Sequence, residues 1–168
     1  TPDKIYHQSK KYFSIIGVSI TSVNREIAKW DQPIIKQAHP GITGFICTKI
    51  NGVNHYLIQL KTEPGVLDLV EISPTVQVIT SNYDGLDVPE FLNEVINAKD
   101  NEILFDTLQS EEGGRFYKEE NKNLIIEKDN FNNLYKSNEN YIWMNIFQLK
   151  SFIYFNNYFK FIILNRTN

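Results

Sequence analysis

The sequence predicts an α+β domain in which a mixed β-sheet is accompanied by two short helices. β-Branched residues are concentrated in runs of strand length, an Asn-Gly dipeptide separates two of these runs, and the apolar spacing changes to a helical period after position 88. The chain has 168 residues, which is enough for one domain with its own core, and we expect a single domain over residues 1–168.

The strands are predicted from apolar runs at residues 12–21, 42–50 and 53–60. The last two are joined by Asn51-Gly52, the dipeptide that best tolerates the positive φ angles of a type I′ turn, so they should form a hairpin. A further run at 67–80 contains Pro74, which has no amide donor. This run is either two strands joined at a kink or one strand with an edge or bulge position at the proline.

The two helices are predicted where apolar residues recur at spacings of three and four. One lies within residues 88–98, after Pro89, and the other within 145–155, with Asn145 as its N-cap. Residues 102–109 are ambiguous. Residues 115–119 and 124–128 flank an Asn-rich tetrapeptide and are interpreted as a second hairpin, and residues 129–140 as a surface loop.

Charge and cysteine content exclude several classes of protein. Seventeen basic and 20 acidic residues give a net charge of −3, which provides no basic surface for nucleic acid. Cys47, the single cysteine, excludes an internal disulfide and fits a reducing, cytoplasmic setting; we expect it to be buried rather than reactive. The most apolar window, at 152–164, is short and interrupted by polar residues, so no membrane span is predicted.

Several short strings occur in a fixed order along the chain. They are Asn-Arg-Glu-Ile at 24–27, Trp-Asp-Gln-Pro-Ile at 30–34, Lys-Thr-Glu-Pro-Gly at 61–65, Glu-Ile-Ser-Pro-Thr-Val-Gln at 71–77, Ser-Asn-Tyr at 81–83, Gln-Ser-Glu-Glu-Gly-Gly-Arg-Phe-Tyr at 109–117 and Trp-Met at 143–144. Together they closely resemble the NDP-hexose 2,3-dehydratase family of deoxysugar biosynthesis, over residues 12–152. The resemblance implies one Nudix-like module, similar to the C-terminal of two copies, with a core at about 12–155 and a divergent tail at 156–168.

The resemblance also implies a reaction. The substrate would be a dTDP-4-keto-6-deoxyhexose, from which water is lost across C2 and C3. Because the C4 ketone acidifies the C3 hydrogen, the enzyme needs a base at C3, a donor to the C4 oxygen and an acid for the C2 hydroxyl. No redox cofactor is required. A required metal is not expected either, because the sequence lacks the carboxylate-rich helix of Nudix hydrolases.

The matched strings supply the candidate catalytic residues. Glu111, Glu112 and Glu71 are candidate bases, and Tyr117 is a candidate hydrogen-bond donor. Without the resemblance, the adjacent pair of glutamates would be interpreted as a solvated turn. Glu71 fits a cleft or a solvent-exposed position equally well.

The binding candidates follow from the chemistry of a thymidine diphosphate. Arg115 and Arg25 could fork onto diphosphate oxygens, with Lys61 adding a charge, although each could instead pair with a nearby glutamate. Trp30 and Tyr83 are candidate platforms for the thymine ring. Polar partners for the base or the sugar are Gln32, Gln77, Asn82 and Glu63.

The sequence leaves two functions from different classes open. The first is an enzyme that dehydrates a dTDP-linked sugar, and the second is a non-catalytic module that binds a dTDP-sugar or stabilises a partner. In either case we expect a homodimer or pairing with a second module.

Overall fold

The computed structural model describes residues 4–64, 70–83, 87–129, 131 and 139–154. The chain divides into two compact units. Unit 1 comprises Thr1–Ile42, Val78–Asp87 and Leu108–Lys122, and unit 2 comprises Thr43–Gln77, Val88–Thr107 and Asn123–Asn168. The described part is mostly β-sheet with two short α-helices, which confirms the predicted α+β class. None of its helices is long and apolar enough to cross a bilayer.

Unit 1 is built on a three-stranded antiparallel sheet in the order β1-β2-β3. The strands are β1 (Lys4–Tyr6), β2 (Phe13–Thr21) and β3 (Lys29–Gln37). Gly17 of β2 lies opposite Pro33 of β3, so the residue without an N–H faces one without a side chain. On its other side, β3 forms a single parallel bridge from Ile35 to Phe116.

Unit 2 contains a larger sheet in the order β10-β5-β4-β9-β8, in which β6 also pairs with β5 and β7 with β4. These strands are β4 (Gly41–Ile50), β5 (Val53–Lys61), β6 (Glu71–Ser73), β7 (Val76–Ile79), β8 (Ile103–Ser110), β9 (Glu120–Glu127) and β10 (Tyr141–Asn145). One end of each of β4, β7, β8 and β9 belongs to unit 1. The residues that join β8 to β9 are therefore part of unit 1.

One buried cluster of unit 2 joins the sheet to the second helix. It consists of Ile58, Ile72, Met144 and Leu149. Thr75 is also buried in this unit, and its hydroxyl accepts the backbone N–H of Ile46 at 3.0 Å and donates to the carbonyl of Leu57. Burial of these side chains supplies the free energy that keeps the strands paired.

Local sequence signals account for the best-predicted elements. Asn51 and Gly52 have φ angles of 51° and 78°, as a type I′ turn between β4 and β5 requires. The second helix, α2 (Ile146–Ile153), begins with the predicted cap: the Asn145 side chain accepts the N–H groups of Phe147 and Gln148. The first helix, α1 (Leu92–Ile96), is shorter than its apolar pattern. Pro74 separates β6 from β7, so the structure selects the two-strand alternative.

The predicted hairpin around residues 120–123 is wrong. This tetrapeptide lies inside β9, and the chain reverses earlier, over residues 111–119, where Gly114 and Lys118 have positive φ angles. Asparagine suggested a turn, but the Asn121 side chain makes long-range hydrogen bonds that fix it in a strand. The ambiguous residues 102–109 belong mainly to β8, and β1, β3 and β10 were not predicted as strands.

Two further predictions fall largely or wholly outside the described residues. These are the surface loop at 129–140, of which 130 and 132–138 lie outside, and the divergent tail at 156–168.

Candidate active site

The predicted site residues fall into two groups, one in each unit. Unit 1 contains Arg25, Trp30, Gln32, Asn82, Tyr83, Glu111, Glu112, Arg115 and Tyr117. Unit 2 contains Lys61, Glu63, Glu71 and Gln77. The group in unit 1 includes three of the four predicted catalytic residues, Glu111, Glu112 and Tyr117.

The connection between β8 and β9, residues 111–119, is held against β3 by backbone hydrogen bonds. The N–H of Ile35 donates to the carbonyl of Arg115 at 2.9 Å, and the N–H of Tyr117 donates to the carbonyl of Ile35 at 2.7 Å. These bonds flank the bridge between Ile35 and Phe116. The segment that carries Glu111, Arg115 and Tyr117 is therefore fixed on a strand of the smaller sheet.

Trp30 and Gln32 extend this attachment along β3. The indole N–H of Trp30 donates to Oε1 of Gln32 at 2.7 Å, and Nε2 of Gln32 donates to the carbonyl of Gly114 at 2.6 Å. Both ends of the Gln32 amide thus have partners within the protein. Gln32 connects the predicted thymine platform, Trp30, to the glycine turn between the predicted glutamates and Arg115.

An open depression lies on the hairpin of β2 and β3. Its volume is about 360 Å³, and it is lined by Gly17, Val18, Ser19, Asp31, Gln32 and Pro33. The hydroxyl of Ser19 donates to Oδ1 of Asp31 at 2.5 Å within it. Gln32 is thus shared between the depression and the 111–117 segment.

Arg115 and Glu112 form an exposed ion pair with 3.2 Å between Nη1 and Oε2. The two side chains are 63% and 67% exposed. Exposed pairs of this kind contribute little to stability, so the guanidinium can exchange this partner for another anion at small cost.

Glu111 has different surroundings from Glu112. One carboxylate oxygen of Glu111 accepts a hydrogen bond from the Asn121 amide, and Oδ1 of Asn121 accepts the backbone N–H of Gly41 at 2.7 Å. The backbone N–H of Glu111 donates to the carbonyl of Glu119 at 2.9 Å. The two adjacent glutamates therefore do not converge: Glu111 is held on β9, whereas Glu112 faces solvent with Arg115.

Glu119 is a titratable group that was not predicted from the sequence as a site residue. Its Oε1 is buried and has no hydrogen-bond partner within the part of the chain that the structure describes. Burial, and then the negative charge of Glu111, raise the pKa of the Glu119 carboxyl above its ordinary value of 4.5. The available signal in the sequence was its spacing: Glu119 and Asn121 are two residues apart and share a face where the chain is extended.

The other predicted residues of unit 1 have less defined surroundings. The Tyr117 ring lies 5.8 Å from the ammonium of Lys36 and 5.7 Å from that of Lys118. Asn82 and Tyr83 lie in a 3₁₀ turn, Thr80–Tyr83, in which Oδ1 of Asn82 is buried and has no hydrogen-bond partner among the residues that the structure describes. Arg25 is exposed in the connection between β2 and β3.

The group in unit 2 lies where β5 pairs with β6. Lys61 is opposite Glu71 in the antiparallel register, and Nζ of Lys61 is 2.5 Å from Oε1 of Glu63. Glu71 is half-buried, and Oε1 of Gln77 is buried with no hydrogen-bond partner from any described residue. Lys61 therefore has the neighbouring acidic partner that the sequence offers as an alternative to substrate binding.

The described residues contain no group of three or more histidine, cysteine or acidic side chains arranged to hold a metal ion. Cys47 is fully buried in β4, as predicted. Burial, and then the charge of Glu127, raise the pKa of its thiol to about 11. The neutral thiol therefore packs as a small apolar side chain.

Comparison with known proteins gives consistent results. A family model described as NDP-hexose 2,3-dehydratase matches residues 1–163. Three similar proteins are each named dTDP-4-dehydro-6-deoxy-alpha-D-glucopyranose 2,3-dehydratase. The protein from Streptomyces violaceoruber is 40% identical over 87% of this chain, that from Saccharopolyspora spinosa 40% over 76%, and that from Amycolatopsis orientalis 38% over 76%. The matched regions are 33%, 27% and 28% of these relatives, so the chain spans about a third of their length.

Proposed function

We propose, from the premise that this chain belongs to the NDP-hexose 2,3-dehydratase family, that it catalyses 2,3-dehydration of a dTDP-4-keto-6-deoxyhexose. Its similarity to proteins named as dehydratases of a dTDP-4-dehydro-6-deoxyglucose supports this substrate class. The structural observation that carries the proposal is the attachment of residues 111–117 to β3, because it joins candidate acid–base, cationic and aromatic groups within one unit.

The proposed reaction begins with removal of the C3 proton by a carboxylate. The electron pair of the C3–H bond forms the enolate of the C4 ketone. The electrons of this enolate then form the C2–C3 double bond, the C4 ketone is restored, and the C2–O bond breaks. The C2 hydroxyl takes a proton and leaves as water. The remaining C3 hydroxyl is part of an enol, which can tautomerise to a 3,4-diketo sugar.

The candidate residues supply each of these requirements. Glu111, Glu112 and Glu71 are the candidate bases. The Tyr117 phenol can donate to the C4 oxygen or to the departing hydroxyl, and two nearby ammonium groups favour accumulation of negative charge beside its ring.

The nucleotide part of the substrate is assigned to the cationic and aromatic groups. Arg115 and Arg25 would bind the diphosphate, with Lys61 adding a charge, and Trp30 and Tyr83 would stack on thymine. Glu63, Gln77, Asn82 and Gln32 are the other candidates for substrate binding, of which Gln32 also holds Gly114.

The proposal extends to the fold, the assembly and the cellular setting. We assign a Nudix-like arrangement to the module, and we expect it to pair with a second copy or a second module. Light scattering of the purified chain tests the first form of pairing. The buried, single cysteine fits a cytoplasmic reaction.

Turnover and binding can be measured separately. The chain is incubated with dTDP-4-keto-6-deoxyglucose, a 3-ketoreductase and NADPH, and loss of NADPH absorbance is expected if the dehydrated product forms. Omitting either the chain or the ketoreductase controls for background oxidation. Thermal stabilisation by dTDP without NADPH loss would instead support the non-catalytic binding module. The absence of both NADPH loss and thermal stabilisation would contradict both functions.

A further inference from the structure

The orientation of the Asn121 amide is fixed from both ends. The backbone N–H of Gly41 donates to Oδ1 of Asn121 at 2.7 Å, which identifies this atom as the amide oxygen. The NH₂ end must then face the opposite way, where it donates to Oε1 of Glu111. Since these contacts join residues from β4, β9 and the connection after β8, they are a feature of the folded chain.

Gly41 is required for this arrangement because a larger residue would occupy the same space. A Cβ atom built on buried Gly41 would lie 2.5 Å from Oδ1 of Asn121 and 3.5 Å from the carbonyl oxygen of Val78. The first distance is far below van der Waals contact. Any side chain at position 41 would therefore displace the amide that contacts Glu111.

Charged groups near this contact differ in where they point. Glu119 immediately precedes β9, and its backbone carbonyl accepts the N–H of Glu111 at 2.9 Å. The negative charge of Glu111 contributes to the raised pKa of the Glu119 carboxyl, so the two carboxyl groups are close. On β9 itself, Glu120 and Lys122 alternate to the face opposite that of Asn121, and in the connecting segment Glu112 pairs with Arg115. Glu119 is thus a charged neighbour of Glu111, and its buried Oε1 has no hydrogen-bond partner among the described residues.

We propose that Glu111 is the base that removes the C3 proton, and that Asn121, locked by the Gly41 amide, is the positioning residue that holds its carboxylate. This inference rests on the proposed function and selects one carboxylate from its three candidates. A single N–H donor fixes one oxygen of the Glu111 carboxylate, and the other oxygen remains to accept a proton. Glu112 lacks such a constraint, because its partner is the exposed Arg115 side chain.

The test replaces the donor by an acceptor of the same shape. Asn121→Asp keeps an oxygen for the Gly41 N–H but turns a second oxygen toward Glu111. Because two carboxylates in contact repel each other, we expect the Glu111 side chain to leave its position in this variant. The measurement is steady-state kinetics with the sugar nucleotide in the coupled ketoreductase assay. We expect kcat at neutral pH to fall about 100-fold, because the base is displaced, and KM to stay within about threefold, because the binding residues are unchanged.

A second variant perturbs the contact without changing any charge. Gly41→Ala should displace the Asn121 amide, so kcat should again fall, by a smaller factor, while KM stays unchanged. Asn54→Asp, at an exposed position on β5, adds the same charge elsewhere and should leave both kcat and KM unchanged. Circular dichroism identifies the variants that fold, and either folded variant is sufficient for the test.

The outcomes separate this inference from the function on which it rests. If kcat is unchanged in a folded Asn121→Asp or Gly41→Ala variant, the positioning role is overturned while the proposed function stands. If the original chain shows no turnover, the proposed function and the role of Glu111 as base are both overturned. A fall in kcat without a change in KM in the folded variants supports the inference.

Discussion

The guanidinium of Arg115 lies 3.2 Å from the carboxylate of Glu112, three residues earlier in the same turn, and both side chains are largely exposed. In this pair, Glu112 neutralises the guanidinium of Arg115, which in the proposed function binds the diphosphate of the substrate. A dianionic diphosphate offers more acceptor oxygens than one carboxylate, so it can replace Glu112 as the partner of Arg115. The relationship leads to opposite expectations for substitutions at these two positions.

Arg115→Ala should weaken dTDP binding about tenfold, since it removes a charge-assisted hydrogen-bond donor to the diphosphate. Isothermal titration calorimetry of dTDP gives the affinity directly. Lys49→Ala, which removes a positive charge from β4, is the control and should leave the affinity unchanged. Equal affinities in Arg115→Ala and the original chain would remove Arg115 from the nucleotide site.

The two adjacent glutamates should differ in their effect on catalysis. Glu111→Gln should lower turnover at least about 100-fold, because it removes the general base, while dTDP affinity stays within about threefold. Glu112→Gln should leave turnover within about threefold and strengthen dTDP binding, because it releases Arg115. The coupled ketoreductase assay and calorimetry measure the two quantities. The reverse ranking, with Glu112→Gln as the inactive variant, would assign the base to Glu112.

The elements that the sequence predicts well have their signals within a few neighbouring residues. The turn at Asn51 and Gly52 requires two positive φ angles, which this dipeptide adopts readily. The start of α2 depends on Asn145 and Gln148, which cap each other three residues apart. Such signals need no knowledge of the rest of the fold.

The features that were missed depend on distant partners. β3 contains Pro33, which argues against a strand until Gly17 is known to lie opposite. Asn121 belongs to a composition typical of turns, yet its side chain is held by Gly41, 80 residues earlier. Likewise, Gln32 contacts Gly114 across 82 positions. The strings supply the candidate site residues, but only the pairing of strands shows that Asn121 and Glu119 accompany Glu111.

Trp30 provides a test of the thymine platform. Trp30→Ala should weaken dTDP binding about tenfold, because stacking of an aromatic ring on a base contributes about 1–3 kcal/mol. Trp30→Phe keeps a flat ring but loses the N–H donated to Gln32, so an intermediate affinity is expected. Calorimetry with dTDP measures both variants. Loss of binding in Trp30→Phe equal to that in Trp30→Ala would show that the hydrogen bond to Gln32, rather than stacking, is what matters.

Thr75 should be important for the stability of unit 2. Its buried hydroxyl serves both the N–H of Ile46 and the carbonyl of Leu57. Thr75→Val has a similar shape but leaves both groups buried without this partner, so unfolding free energy should fall by about 2 kcal/mol. Urea denaturation followed by circular dichroism measures the change. Thr75→Ser retains the hydroxyl and should lose less than half as much; an equal loss would attribute the effect to packing of the methyl group.

Glu119 should make stability depend on pH in the direction opposite to that of a salt-bridged carboxylate. Its pKa in the folded chain lies above the ordinary value of 4.5, so between these two values the folded state binds more protons than the unfolded state. The stabilisation from the protonated carboxyl is therefore present at low pH and is lost as the pH rises through this interval.

Glu119→Gln removes this titrating group. The melting temperature of Glu119→Gln minus that of the original chain should therefore be larger at pH 7 than at pH 4. The matched control is Glu120→Gln, at the exposed neighbouring position, which should show no such rise. Circular dichroism melting curves at both pH values measure this difference in melting temperature. The same difference at pH 4 and pH 7 would contradict the assignment, because the Glu119 carboxyl would then titrate alike in the folded and unfolded chains.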